Sequence, residues 1–252
     1  MHVILTGATG LVGSSVLEAM LKTKDITKIS ILSRRPVQMA SDSQDPRVSV
    51  IIQNDFARYE PDILRQLSGA RGCVWALGIS QNQVDKEDYV RITKDCALEA
   101  ARAFSTLSDN DEEPFRFVYV SGEGATQTPG MFSPIYARVK GETETALGDM
   151  SAEMPTLRAD SVRPMFVDAA GHEAIQKYLP DPGLVQRATV AALGGPIRMF
   201  YKSGWSPTPM LGDFLTRMAM GKVDGRIEGP GAYRLGGSWV VGNVGIRRMM
   251  GV

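Results

Sequence analysis

Short apolar runs and amphipathic segments alternate along the first two thirds of the chain. Six short runs, most of them rich in apolar residues, predict β-strands: His2–Leu5, Ile26–Leu32, Val48–Ile52, Gly72–Leu77, Phe115–Val120 and Leu157–Arg163. Helical spacing follows the first run and recurs over Pro61–Leu67, Asp85–Phe104 and Pro134–Leu147. Because the strands lack strict alternation of apolar and polar residues, we expect burial on both faces. The pattern predicts an α/β fold with a doubly wound parallel sheet.

Beyond residue 165 this regularity fades. Seven of the 14 prolines fall at or after Pro164, which favours irregular loops. We therefore expect a small, irregular C-terminal region after the regular α/β part.

Composition and charge narrow the class of protein. The 252 residues are 43% apolar and 22% charged, with 28 basic and 28 acidic side chains, so a dedicated nucleic-acid binder is disfavoured. No charge-free apolar stretch reaches the ~20 residues that a membrane span requires. Cys73 and Cys96 match no disulfide or zinc pattern, and His2 and His172 suggest no metal site. These features predict a cytoplasmic protein with no nucleic-acid partner, membrane span or bound metal.

A glycine-rich turn, Gly7-x-x-Gly10-x-x-Gly13, joins the first strand to the first helix. The early glycines permit a tight turn and close approach of backbone to a pyrophosphate, and the last lets the helix pack on the strand. Free N–H groups at the start of the helix then favour phosphate. We predict a dinucleotide site here, formed by Gly7, Thr9, Gly10, Leu11, Val12 and Gly13.

The end of the second strand indicates which dinucleotide binds. An acidic residue there would hold the ribose 2′-hydroxyl of NAD. This chain instead has Ser33-Arg34-Arg35 and no acidic residue over 26–41. Guanidinium groups bind phosphate in bidentate fashion, so NADP(H) is favoured over NAD(H). Asp55 and Phe56, after the third strand, are predicted to bracket the adenine.

A tyrosine and a lysine four residues apart supply candidate proton chemistry. Tyr136 and Lys140 fall on one face of a predicted helix. A phenol with an ordinary pKa near ~10 becomes a useful acid or base when a neighbouring ammonium favours its anion. Ser121, at the end of the fifth strand, is placed to hydrogen-bond a carbonyl oxygen that gains charge.

Together these motifs resemble the short-chain dehydrogenase/reductases, especially the atypical and extended group of Tat-interacting-protein-like oxidoreductases. The resemblance is good over 1–165 and thinner beyond, where Thr208-Pro209 and Asn243-x-x-Ile246-Arg247 are similar to the group. The segments that carry it are Thr6–Gly13, Trp75–Gly78, Ser121, Tyr136-x-x-x-Lys140, Val139–Glu142 and Val162–Pro164.

The resemblance implies a Rossmann domain, NADP(H) binding and a Ser–Tyr–Lys site, and it adds Leu77, Gly78, Tyr136, Lys140 and Pro164 to the cofactor contacts. The chain departs from the family after Ser121, where Gly122 and Glu123 replace the usual further Ser or Thr. Ser121 and Glu123 are therefore both candidates for the third catalytic position.

These expectations combine into a single domain over 1–252, with a dinucleotide-binding core over 1–165 and a substrate region with interleaved elements over 166–252. The expected activity is hydride transfer between NADP(H) and a small carbonyl or alcohol. One alternative is a non-catalytic NADP-binding redox sensor, which would not need the Tyr136–Lys140 pair. Another is an epimerase or isomerase of the extended type, for which the region after Met165 is short. A homodimer is one allowed assembly.

Overall fold

Strands form two parallel-rich sheets in the computed structural model, which describes residues 1–107, 113–181 and 194–252. Among these residues, eight strands form the main sheet in the order β3-β2-β1-β4-β5-β6-β10-β9, and β7 pairs with β8 separately. All pairs are parallel except β10–β9. The strands are β1 His2–Thr6, β2 Lys28–Ser33, β3 Val48–Ile52, β4 Ala70–Trp75, β5 Phe115–Val120, β6 Leu157–Arg163, β7 Phe166–Asp168, β8 Trp205–Pro207, β9 Ala232–Leu235 and β10 Ser238–Gly242.

Helices cover both faces of the main sheet. One core layer buries α1, α8 and α9 against one face, and a second buries α3, α5 and α6 against the other. A π-helical segment, Arg91–Asp95, joins α4 to α5, and residues 194–200 are helical. The helices are α1 Leu11–Lys22, α2 Gln38–Ser43, α3 Pro61–Leu67, α4 Lys86–Val90, α5 Cys96–Phe104, α6 Ile135–Glu153, α7 Glu173–Gln176, α8 Thr208–Ala219 and α9 Asn243–Met250.

The fold class predicted from the sequence is confirmed. All six predicted strands are present, and β3, β5 and β6 have the predicted bounds. The fourth strand ends at Trp75, two residues before its predicted end, so Ala76 and Leu77 leave the sheet at its C-terminal edge. Within the described residues, no helix combines the length and apolar character that crossing a membrane requires.

The C-terminal third is more regular than its prolines suggested. β10 adds to the main sheet beside β6, with Val240 opposite Ser161, and β9 pairs with β10 as a hairpin. Helix α8 packs directly on α1, where a Cβ atom on Gly212 would overlap the carbonyl oxygen of Ser15. Residues of the predicted substrate region therefore share a core with the first 165 residues. Residues 182–193 of that region lie outside those that the structure describes.

Candidate active site

Three adjoining cavities form a crevice along the C-terminal edge of the parallel strands. Their volumes are about 600, 430 and 110 Å³, and Leu77 lines all three. We refer to them together as the main crevice. The structure brings every residue predicted to bind cofactor to its walls: Gly7, Thr9, Gly10, Leu11, Val12, Gly13, Ser33, Arg34, Arg35, Asp55, Phe56, Leu77, Gly78, Tyr136, Lys140 and Pro164.

The floor of the main crevice is backbone that only glycine permits. Gly7 has φ +69°, and a Cβ atom there would overlap the carbonyl of Ala76. A Cβ atom on Gly13 would likewise overlap the Gly7 carbonyl. Helix α1 has no side-chain cap at Gly10, so its first N–H groups have no side-chain partner there. This cradle fits the pyrophosphate of a dinucleotide, because N–H groups and helix dipole both favour an anion.

Two arginines flank the 430 Å³ cavity at the end of β2. Arg34 and Arg35 are both exposed, and neither guanidinium has an ion pair with any described residue. Ser33 is buried beside them, and its Oγ accepts a hydrogen bond of 3.3 Å from the Arg35 N–H. Phe56 also lines this cavity and packs edge-on against Trp75, with ring centroids 5.9 Å apart. The residues thus offer two cationic groups next to an aromatic surface.

Helix α6 places Tyr136 and Lys140 one turn apart on the wall of the 600 Å³ cavity. Lys140 Nζ donates a hydrogen bond of 2.6 Å to the Ser121 carbonyl oxygen, which ties the helix to the end of β5. Burial lowers the pKa of Lys140 to about 8, although the charge of Glu144 acts in the opposite direction. The ammonium form is therefore still the main one at neutral pH.

The hydroxyl of Tyr136 lies against a glycine of the loop after β5. Gly124 has φ +86°, and a Cβ atom built there would be 2.9 Å from Tyr136 Oη. The loop therefore leaves room for the phenol only because residue 124 has no side chain.

Ser121 and Glu123 occupy the same wall in different ways. The Ser121 hydroxyl is enclosed and has no hydrogen-bond partner in the described part of the chain. Ser121 as a residue nevertheless lines the 600 Å³ cavity. Glu123 is exposed and lines the cavity, and its backbone N–H donates a hydrogen bond of 2.9 Å to the Pro164 carbonyl oxygen. A buried hydroxyl without a partner is costly, so Ser121 is poised to accept or donate a bond when a ligand arrives.

The structure adds three groups that sequence reasoning missed. Gln81 Oε1 accepts a 3.1 Å hydrogen bond from the Tyr136 N–H and so anchors the start of α6. Thr93 lines the main crevice from the π-helical segment, a rare element that concentrates at functional sites. Glu144 is fully buried and pairs with Arg163, with Nε 2.8 Å from Oε1. No turn residue or motif in the sequence marks these contacts.

Comparison with known proteins places the chain among fungal relatives. No family model matches the chain. Botcinic acid biosynthesis cluster B protein 16 of Botryotinia fuckeliana is 47% identical over 156 residues, 62% of this chain and 99% of that protein. Leucinostatins biosynthesis cluster protein T of Purpureocillium lilacinum is 34% identical over 75% of this chain and 73% of its own length.

Solved structures share the fold at low sequence identity. The KRED1-Pglu enzyme covers 95% of this chain and 99% of its own with a TM-score of 0.63 and 17% identity. A short-chain dehydrogenase/reductase of Saccharomyces cerevisiae covers 96% and 95%, with a TM-score of 0.65 and 14% identity. One from Mycobacterium ulcerans covers 97% and 89%, with a TM-score of 0.66 and 14% identity.

More distant relatives contradict the expected cytoplasmic location. Protein fmp52 of Aspergillus fumigatus, 23% identical over 96% of this chain and 94% of its own, is named a mitochondrial protein. FMP52 of Lodderomyces elongisporus, 28% identical over 58% and 60%, has the same designation. The cytoplasmic prediction rested on composition and was wrong, because targeting signals are addresses read by receptors and composition does not reveal them.

Relatives, fold and motifs agree on one assignment. Curated relatives above 30% identity cover most of the chain, and solved short-chain dehydrogenase/reductases share its fold along nearly its whole length. The glycine turn and the Tyr136–Lys140 pair, which carry the resemblance in the sequence, lie along one crevice. The chain belongs to the same family as the two biosynthesis-cluster proteins, and it has the fold of the short-chain dehydrogenase/reductases.

Proposed function

We propose that the protein is an NADP(H)-dependent oxidoreductase that interconverts a small carbonyl compound and the corresponding alcohol. The observation that carries the proposal is the shared crevice: Tyr136 and Lys140 line one end, and Arg34 and Arg35 line the other. Two relatives named for biosynthesis clusters support an enzyme that acts on small molecules.

The residues divide the binding work along the crevice. The glycine turn and the start of α1 would hold the pyrophosphate, and Arg34, Arg35 and Ser33 would hold a ribose 2′-phosphate. Asp55 and Phe56 line the cavity next to these arginines and would enclose the adenine. We also propose that 1–165 provides these cofactor contacts and that 166–252 contributes the substrate side.

Proton transfer would be the task of Tyr136. A bound nicotinamide supplies or accepts the hydride. In the reducing direction, Tyr136 gives its hydroxyl proton to the carbonyl oxygen as the carbonyl carbon gains the hydride, and solvent in the crevice then restores the proton. The ammonium of Lys140 favours the phenolate that remains.

The third polar group would steady the developing oxyanion. Ser121 and Glu123 both line the cavity, and the Ser121 hydroxyl has no partner among the described residues that would compete with a ligand. If Ser121 has this role, Ser121→Ala lowers kcat about 100-fold, whereas Glu123→Gln does so if the carboxyl group takes part.

The cofactor assignment is tested by binding. Replacing Arg34 and Arg35 together with Ala removes two charge-assisted contacts of ~1.5–3 kcal/mol each, so the dissociation constant for NADPH should rise at least about 100-fold. That for NADH should change less than about threefold. Arg102→Ala, at an exposed arginine on α5, is the matched control and should change neither. Equal weakening of NADPH and NADH would refute the phosphate assignment.

The chemistry is tested by Tyr136→Phe. Turnover of a panel of aldehydes and ketones with NADPH should fall about 100-fold or more, while NADPH affinity measured by fluorescence stays the same. Tyr178→Phe, which removes a surface hydroxyl bound to Asp42, serves as the control. If wild type binds NADPH and turns over no carbonyl compound or alcohol, the oxidoreductase proposal is overturned and the redox-sensor alternative stands.

A further inference from the structure

A second cavity of about 350 Å³ adjoins the main crevice. Glu123 and Met165 line both spaces, so the second cavity opens beside the Tyr136–Lys140 end. Its other walls come from the β9–β10 hairpin, the start of α9 and residues 201–203. None of the residues predicted from the sequence to bind cofactor lines it.

The polar side chains deep in the second cavity already have protein partners. Arg163 is held by Glu144, and its Cζ lies 5.7 Å from the centre of the Tyr233 ring. Asn243 Nδ2 donates a hydrogen bond of 2.6 Å to the Ser203 carbonyl oxygen, and Asn243 Oδ1 accepts one of 2.6 Å from Ser206 Oγ. Neither Arg163 nor Asn243 therefore needs a ligand to satisfy it.

Large apolar side chains are left exposed around the same cavity. Met165, Tyr201, Tyr233 and Val244 are 42%, 51%, 42% and 50% exposed, and all four line it. Phe200, 80% exposed, is next to them in the chain. A clustered apolar surface at a concave site is characteristic of a ligand groove, whereas single exposed apolar residues are ordinary.

Local packing holds one of these aromatic rings in place. Tyr201 lies against Gly204, where a Cβ atom would overlap the ring. The same position would be 2.9 Å from Met165 Sδ, so the tyrosine, the glycine and the methionine pack together at the junction of the two cavities. The apolar rim is therefore built into the fold at this point.

We infer that the substrate is amphipathic, with its carbonyl group beside Tyr136 and an extended apolar chain or ring system in the second cavity. This inference rests on the proposed function. Glu123 stands where the two spaces meet, and its carboxylate would repel an anionic group there. The substrate class is thus an uncharged or non-anionic ketone or aldehyde with a long apolar substituent.

A homologous series of methyl ketones with increasing alkyl chains tests the inference, with NADPH as reductant. Burial of each methylene predicts a rise in kcat/KM of about fourfold until the chain fills the cavity. A kcat/KM that does not depend on chain length would overturn the amphipathic class and leave the oxidoreductase proposal intact. Failure to reduce any ketone or aldehyde would instead overturn the proposed function.

Two variants test whether the alkyl chain of the substrate binds in the second cavity. Val244→Asp should make the dependence of log kcat/KM on chain length distinctly shallower, because it puts a charge at the wall of the second cavity. Ala232→Phe should shorten the chain length at which the rise stops, since the ring would occupy that space. Val252→Asp, at an exposed valine near the chain end, is the matched control and should behave as wild type. An unchanged dependence in both Val244→Asp and Ala232→Phe would refute the assignment of this cavity.

Discussion

Gly124 offers a sharp test of how the protein positions its candidate proton donor. The residue has φ +86°, and a Cβ atom there would lie 2.9 Å from Tyr136 Oη and 3.8 Å from the nearest ring carbons. Gly124→Ala therefore acts chiefly on the hydroxyl oxygen, and the ring can stay near its place. Gly69 has a comparable φ of +74° with no atom within 4 Å of its would-be Cβ, which makes Gly69→Ala a matched control.

The magnitude follows from the geometry. Ordinary contacts of a Cβ atom begin at 3.4 Å, so the Tyr136 oxygen must move by about 0.5 Å to accept a methyl group at 2.9 Å. A displacement of ~1 Å at a reacting group can cost about 100-fold in rate, so we expect kcat to fall about tenfold. The positive φ adds about 1–2 kcal/mol of strain for alanine in either variant, and that cost should appear in stability alone.

The assay compares kcat, KM and urea unfolding of Gly124→Ala, Gly69→Ala and wild type at saturating NADPH. Both variants should lose similar stability, and only Gly124→Ala should lose kcat. Moving the phenol relative to Lys140 should also shift the basic limb of the kcat–pH profile, a change that a purely structural effect would not produce. Equal kcat in the two variants would show that the Gly124 loop does not position Tyr136.

Two further predictions concern stability. Gly212→Ala forces α8 away from the Ser15 carbonyl, so the free energy of unfolding should fall by about 2 kcal/mol and Tm by about 6 °C. Gly225→Ala is the control, because no atom lies within 4 Å of a Cβ atom built at Gly225, and its Tm should be nearly unchanged. The pKa of Lys140 is lowered from 10.5 in the unfolded chain to about 8 in the folded protein. Between pH 8 and 10.5 the unfolded chain therefore holds a proton that the folded protein has released, so the stability of wild type rises with pH over this range. Lys140→Met lacks this rise. Measured by urea unfolding, its stability relative to wild type should therefore fall by about 2 kcal/mol over this pH range, a value reduced for partial exposure of the lysine side chain. A stability difference that does not vary with pH would refute this.

Local signals explain why the sheet and the positions of the glycine turn and the arginines could be predicted from the sequence. The strand His2–Thr6 is buried along its whole length, and the apolar run Val3–Leu5 suffices to mark it. At Gly13 the backbone room is likewise decided locally, because a Cβ atom there would overlap the Gly7 carbonyl six residues earlier. Arg34 and Arg35 follow β2 directly, and the carboxyl ends of parallel strands meet at one edge, so their position follows from the topology.

Tertiary contacts explain most of what was missed. Helix α8 has Pro209 in its first turn and is stabilised by packing on α1, a contact that no pattern within α8 reveals. The β9–β10 hairpin did have a local signal, since Gly236 and Gly237 lie between paired Leu235 and Ser238, as expected for a two-residue turn. The density of prolines in the same third of the chain obscured it.

The two ends of the candidate site differ for a physical reason. The cofactor end is built from strand termini and turns, each readable within about ten residues of sequence. The second cavity joins Met165 after β6, Tyr201, Tyr233 on β9 and Val244 on α9, which meet only because β10 pairs with β6 and brings the hairpin beside the crevice. On the proposed role of the second cavity, substrate choice would depend on long-range strand pairing, and a change in the β6–β10 register would alter this cavity while leaving the glycine turn and the arginines in place.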